Sequence, residues 1–127
     1  MFDARSASSA ALAYLGDAVL EVLVRARLVD MGYTSSKSLN AKALSFVRAS
    51  AQAQAMNRIQ PLLTEAEDAV FHRGRNIGHT STPKSATVGE YRTATGMEAL
   101  FGYLHMMNDQ ARIKELFDAA YPKEETI

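Results

Sequence analysis

The chain has no cysteine, only three prolines and seven glycines in 127 residues, and no net charge. Without cysteine there is no disulfide scaffold, no thiolate zinc site and no cysteine nucleophile. No apolar run reaches the roughly 18 residues of a membrane span. Met1-Phe2-Asp3-Ala4-Arg5 lacks a basic stretch followed by an apolar core, so no signal peptide is expected and a cytoplasmic protein is. Fourteen basic residues balance fourteen acidic ones. That excludes a histone-like polycation but leaves room for a local basic patch. The scarcity of glycine and proline goes with helical apolar spacing throughout. No alternating strand pattern occurs, and an all-α fold is expected.

What is present suits one globular domain over 1–127, with 47% hydrophobic and 22% charged residues. A first helix is expected from Ser8 or Ser9 to Met31, with Ser9 as N-cap. A second region runs from Ser35-Ser36 to Ile59 as one or two helices, and Pro61 ends it. Thr64 with Glu67, and Thr87 with Glu90, have the spacing of capping boxes. They open a third helix ending near Gly74 and a long one reaching Met107. Residues 75–86 form a loop between these two helices. Asn108 or Asp109 caps a last helix ending before Pro122.

Charge is uneven along the chain. Residues 31–63 hold Lys37, Lys42, Arg48 and Arg58 and no acid; residues 70–92 add Arg73, Arg75, Lys84 and Arg92 against Glu90 alone. These are either ordinary solvated faces or a basic surface for a polyanion, which requires the segments to converge.

Two acids stand where acids are costly. The first helix carries apolar residues on all sides, from Leu12 to Val29, and is expected to be central. Asp17, Glu21 and Arg25 nevertheless form a polar line along it. Glu21 and Arg25 have the spacing of an ion pair, whereas Asp17 has Ala13 four residues before it. Glu98 lies in an apolar stretch of the long helix, with Ala94, Thr95, Phe101 and Gly102 at the neighbouring positions. Gly16, Gly96 and Gly102 flank the acids. Glycine in a helix costs about 1 kcal/mol against alanine, and close helix approach would offset it. Helices crossing at these glycines would bring Asp17 and Glu98 together. Facing carboxylates need a shared proton, a more distant arginine, or a hard divalent cation that keeps several waters.

Ala11-Leu12-Ala13-Tyr14-Leu15-Gly16-Asp17-Ala18-Val19-Leu20 resembles the signature helix of the ribonuclease III nuclease domain. Thr95-Gly96-Met97-Glu98-Ala99-Leu100-Phe101-Gly102 resembles the second motif of that family. Glu21-Val22-Leu23-Val24-Arg25, Arg73-Gly74-Arg75-Asn76 with Thr82-Pro83-Lys84, and Tyr91-Arg92 look like its Mini-ribonuclease III branch, which has the nuclease domain without a double-stranded-RNA-binding domain. The larger enzymes carry further acids where Ala13 and Thr95 stand here. The branch also lacks them, and the number of metal ions stays open.

The resemblance implies an all-helical homodimer whose valley holds an RNA duplex. It implies hydrolysis of a phosphodiester that leaves a 5′-phosphate, with Mg²⁺ as cofactor and Asp17 and Glu98 as catalytic metal ligands. The implied substrate is precursor large-subunit ribosomal RNA, and a ribosomal protein is a compatible partner. Arg73, Arg75, Asn76, Lys84 and Arg92 are the candidate RNA contacts, with His72 and His79 able to add hydrogen bonds and Glu21 and Arg25 in support. Tyr14 and Tyr91 fit core and site equally. Met56, Phe71, Met106 and Met107 are read as apolar surplus for a dimer face. The competing class is a non-catalytic dimeric RNA-binding or ribosome-associated protein on the same scaffold. A carboxylate-bridged di-metal bundle would need a Glu-x-x-His motif on two helices. None of Glu21, Glu67, Glu90 and Glu98 is followed by that histidine.

Overall fold

Capping residues start most of the helices in the computed structural model, which describes residues 1–77 and 86–123. The order is α1 Ser9–Asp30, α2 Ser36–Val47, α3 Ala49–Ile59, a 3-10 turn Gln60–Leu62, α4 Glu65–Arg75, α5 Val88–Met106 and α6 Gln110–Ala120. No strand occurs among the described residues. Ser8 rather than Ser9 caps α1. Its backbone is extended, and its hydroxyl accepts from the Ala11 N–H at 3.2 Å. The region after Ser35 divides at Arg48, whose ψ of 145° leaves the helical range. Both capping boxes form. The Glu67 N–H donates to Thr64 Oγ1 and the Thr64 N–H to Glu67 Oε1; Glu90 and Thr87 repeat the exchange at α5. Asp109 caps α6 by accepting from the Arg112 N–H. Of the expected loop, residues 78–85 lie outside the described residues, and with them His79 and Lys84.

Helix α5 is the central element. Met97, Leu100, Phe101 and Leu104 pack with Leu20, Val24 and Leu28 of α1, Met56 and Ile59 of α3, and Ile113, Leu116 and Phe117 of α6. Met56 and Phe71 belong to this core and are not surface surplus, because α3 and α4 both pack on α5. Met106 and Met107 are exposed. The expectation for α1 needs a similar correction. One flank stays open, with Tyr14 86% exposed and Val22 and Val29 at 67%.

The most extensive contact in the molecule joins α1 to α5. A Cβ on Gly16 would stand 1.6 Å from the Glu98 carbonyl oxygen, and one on Gly102 would stand 2.0 Å from that of Leu12. The two backbones therefore touch, which only glycine permits. On its other flank α5 meets α4, where a Cβ on Gly74 would come within 2.6 Å of Ala99 Cβ.

Two arginines tie the outer elements down. Buried Arg27 donates to the Tyr121 carbonyl at 2.5 Å and to Asp118 at 3.0 Å, and lies over the Phe117 ring. Arg112 grips Glu67 through Nε at 2.9 Å and Nη2 at 2.8 Å, bonds the Leu62 carbonyl and pairs with Glu115. No helix among the described residues is long and apolar enough to cross a membrane.

Gly16→Ala should destabilise the protein by about 3 kcal/mol or more, because the clash is with backbone and cannot rotate away. Gly89→Ala, whose nearest neighbour would be Thr87 Oγ1 at 4.0 Å, should shift stability by less than about 1 kcal/mol. Urea melts of the two variants measure the difference. Equal stabilities would show that the helices can part at little cost.

Candidate active site

The glycine contact aligns two carboxylates. Asp17 follows Gly16 directly, and the peptide oxygen that Gly16 meets belongs to Glu98. The two side chains reach each other across the crossing, within hydrogen-bonding range. Burial raises the Glu98 carboxyl most, the hydrogen bond to Asp17 and the Asp17 charge add to it, and its pKa reaches about 8. Asp17 itself is exposed in the single chain, contrary to the expectation of a buried acid, because the open flank of α1 begins beside it.

Among the described residues neither acid forms an ion pair with a lysine or arginine, and only burial and Asp17 act on the Glu98 carboxyl. What remains is a proton, or a cation that displaces it. Two carboxylates brought face to face are a fitting oxygen donor pair for a hard divalent ion, with water completing the shell. Among the described residues no third Asp, Glu or His joins them. Ala13 and Thr95 are both buried, and the Thr95 hydroxyl donates to the Tyr91 carbonyl at 3.0 Å.

Glu21 lies one turn beyond Asp17, but Arg25 holds it through Nη2 at 2.6 Å and Nε at 3.2 Å. This is the ion pair that the spacing predicts. With side chains 73% and 51% exposed, it contributes at most a few tenths of a kcal/mol, about 0.3–0.5 for such helix pairs.

Arg73, Arg75 and Asn76 end α4. Gly74 among them presses on Gly96 and Ala99, so this basic helix end packs against the turn of α5 that carries Glu98. Arg73, Asn76 and Arg92 are exposed and Arg75 is half-buried; Arg92 stands in the second turn of α5. His72 pairs with Asp68 at 3.3 Å instead of reaching toward the site. Tyr91 is half-buried. Sequence reasoning missed Tyr121. It is buried, and its hydroxyl donates to the Phe46 carbonyl at 2.8 Å. Burial pushes that hydroxyl above its ordinary range, Arg58 pulls it back and the Glu98 charge raises it further. The end of α6 therefore approaches Glu98, which no local pattern around Pro122 announces.

A ribonuclease III domain model matches residues 10–109. The chain is 46% identical over 109 residues to the Mini-ribonuclease 3 of Symbiobacterium thermophilum, covering 86% of this chain and 84% of that protein. It is 37% identical over 127 residues to the Mini-ribonuclease 3 of Streptococcus pneumoniae, covering 98% and 99%. An X-ray structure of a protein from Fusobacterium nucleatum superposes with a TM-score of 0.84 at 31% identity, covering 93% of this chain and 94% of that one.

The raised Glu98 carboxyl makes stability depend on pH. Unfolded, it titrates near 4.5; folded, near 8. Between these values the folded state binds a proton that the unfolded chain has released, so stability falls as pH rises through the window. Glu67, held low by Arg112, acts in the opposite sense: its contribution is present above 4.5 and lost as pH falls below it. With chelator present, the melting temperature should fall between about pH 5 and pH 8.5, and Glu98→Gln should remove that fall. An unchanged slope in the variant would show that the carboxyl pair is not its source.

Proposed function

Since the chain belongs to the ribonuclease III family, in its Mini-ribonuclease 3 branch, we propose that it is a metal-dependent endonuclease of double-stranded RNA with Asp17 and Glu98 as its catalytic metal ligands. One observation carries this reading: the two acids meet at a helix crossing, and neither is paired with a basic residue among the described residues. A structural ion pair has no use for that arrangement, and a scaffold that only binds RNA has no reason to keep it.

Asp17 and Glu98 would hold the ion, Mg²⁺ on our reading, at the scissile phosphate. When bound, the ion supplies Lewis-acid stabilisation of the charge that develops on the phosphoryl oxygens. To hold the ion Glu98 would be a carboxylate, since only that form is a strong ligand, and the proton it carries without the ion would pass to solvent. Water adds to phosphorus and the bond to the 3′-oxygen breaks, leaving a 5′-phosphate and a 3′-hydroxyl. Arg73, Arg75, Asn76 and Arg92, with Lys84, supply contacts to phosphates and 2′-hydroxyls, which is how duplex RNA is read. The exposed Tyr14, Val22 and Val29 on α1 support a homodimer in which each copy cuts one strand. Precursor large-subunit ribosomal RNA is the substrate we favour, and the cytoplasm is the compartment it implies.

Asp17→Asn and Glu98→Gln should each lower single-turnover cleavage of a long RNA duplex in Mg²⁺ by orders of magnitude, where every tenfold is about 1.4 kcal/mol of barrier. Folding and duplex binding should persist. A purely structural pair predicts the reverse, with lost stability and activity per folded molecule intact. Near wild-type cleavage by either variant would remove that residue from the catalytic assignment.

Arg73→Ala or Arg75→Ala should weaken duplex binding and flatten its log–log salt dependence by about one unit for each phosphate no longer neutralised. Filter binding across a salt series measures it. An unchanged slope would take the residue off the RNA surface.

A further inference from the structure

The acid-free stretch from residue 31 to residue 63 has no task in the site described above. It supplies α2 and α3, and in the fold these helices meet the end of α6. There Lys42 and Ser45 of α2, Gln54 and Arg58 of α3, and Lys123 beyond α6 line a groove of about 440 Å³ with Phe46 and Tyr121. Its three cations come from segments far apart in sequence. Among the described residues no carboxylate lines it, and none of the three cations forms an ion pair. Arg58 spends one guanidinium nitrogen on the Ala120 carbonyl, at 2.8 Å, and makes no other hydrogen bond among the described residues.

We propose that this groove is a second phosphate-binding site, which takes the sugar–phosphate backbone of an RNA strand outside the segment held at Asp17 and Glu98. The proposal rests on the nuclease reading and extends it. Three cations without an ion pair among the described residues, together with hydroxyl and amide donors, are the equipment for phosphodiester oxygens. Phe46 and Tyr121, with ring centroids 5.2 Å apart, add an apolar wall against which a ribose or base can lie. Tyr121 also connects the two sites, because it lines the groove and feels the Glu98 charge. Glu124 and Glu125 follow Lys123 in sequence, outside the described residues. Lys42 is therefore the cleaner probe.

The test is equilibrium binding of a 30-base-pair RNA duplex, in chelator, across a salt series (duplex length chosen as about three helical turns). Lys42→Ala combined with Lys123→Ala should weaken binding and flatten the log–log slope by about two units. Lys42→Arg should keep both. Melting curves check that the variants are folded. Wild-type affinity and slope in the double variant, with the wild-type protein binding and cutting the duplex, would overturn the groove while leaving the nuclease reading in place. A wild-type protein that neither binds nor cuts the duplex would overturn that reading, and the RNA occupant with it.

Discussion

Two helices touch backbone to backbone at Gly16 and Gly102, and the chemistry depends on that contact. Because no side chain separates the helices at the crossing, the distance between Asp17 and Glu98 is set by main-chain packing. Helix α4 presses on the other flank of α5 through Gly74 and Gly96, so the turn carrying Glu98 is held from two sides. A metal site needs its donors fixed before the ion arrives, and rigid helices fix them better than loops do.

The other buried charges show by contrast what the Asp17–Glu98 pair is for. Glu67 is 5% exposed and receives a two-pronged bond from Arg112; Arg27 is 8% exposed and is met by Asp118 and the Tyr121 carbonyl. Each has the opposite charge or a carbonyl in contact, as burial demands. Glu98 has a like charge instead. The remaining packing of α5 must outweigh the resulting repulsion, and a proton or a cation relieves it. A fold that partners its buried charges but leaves half-buried Glu98 facing the exposed Asp17 supports the reading that positive charge is taken up at that point.

Much of this is readable from local pattern. Thr64 with Glu67 and Thr87 with Glu90 mark helix starts, because a capping box needs only four consecutive residues. The meeting of Asp17 and Glu98 follows from two costly features in the same segments, lone acids and helical glycines. What stays hidden depends on packing between distant elements. Ser8 outcompetes Ser9 as cap through a backbone angle that a run of serines does not reveal. Met56 and Phe71 look like surplus because helical periodicity does not say how many neighbours a helix has. Arg58 and Tyr121 acquire their surroundings only when α3 and the end of α6 come together.

The zero net charge conceals a separation that suits the proposed work. The acids of the site lie at the α1–α5 crossing, whereas cations gather at the end of α4 and in the groove of α2, α3 and the segment after α6. Phosphates are attracted to the periphery and repelled from the carboxylate pair unless a cation occupies it. On the proposed reading a strand would be held without being cut, and the ion would decide between the two. Tyr14 stands one turn before Asp17 on the open flank of α1. A second copy covering it would draw water away from Asp17 as well, and desolvation raises the cost of leaving either acid charged and alone. Dimerisation and metal binding would then favour each other, because the surface proposed to join two copies lies on the same helix as the acid proposed to hold the ion.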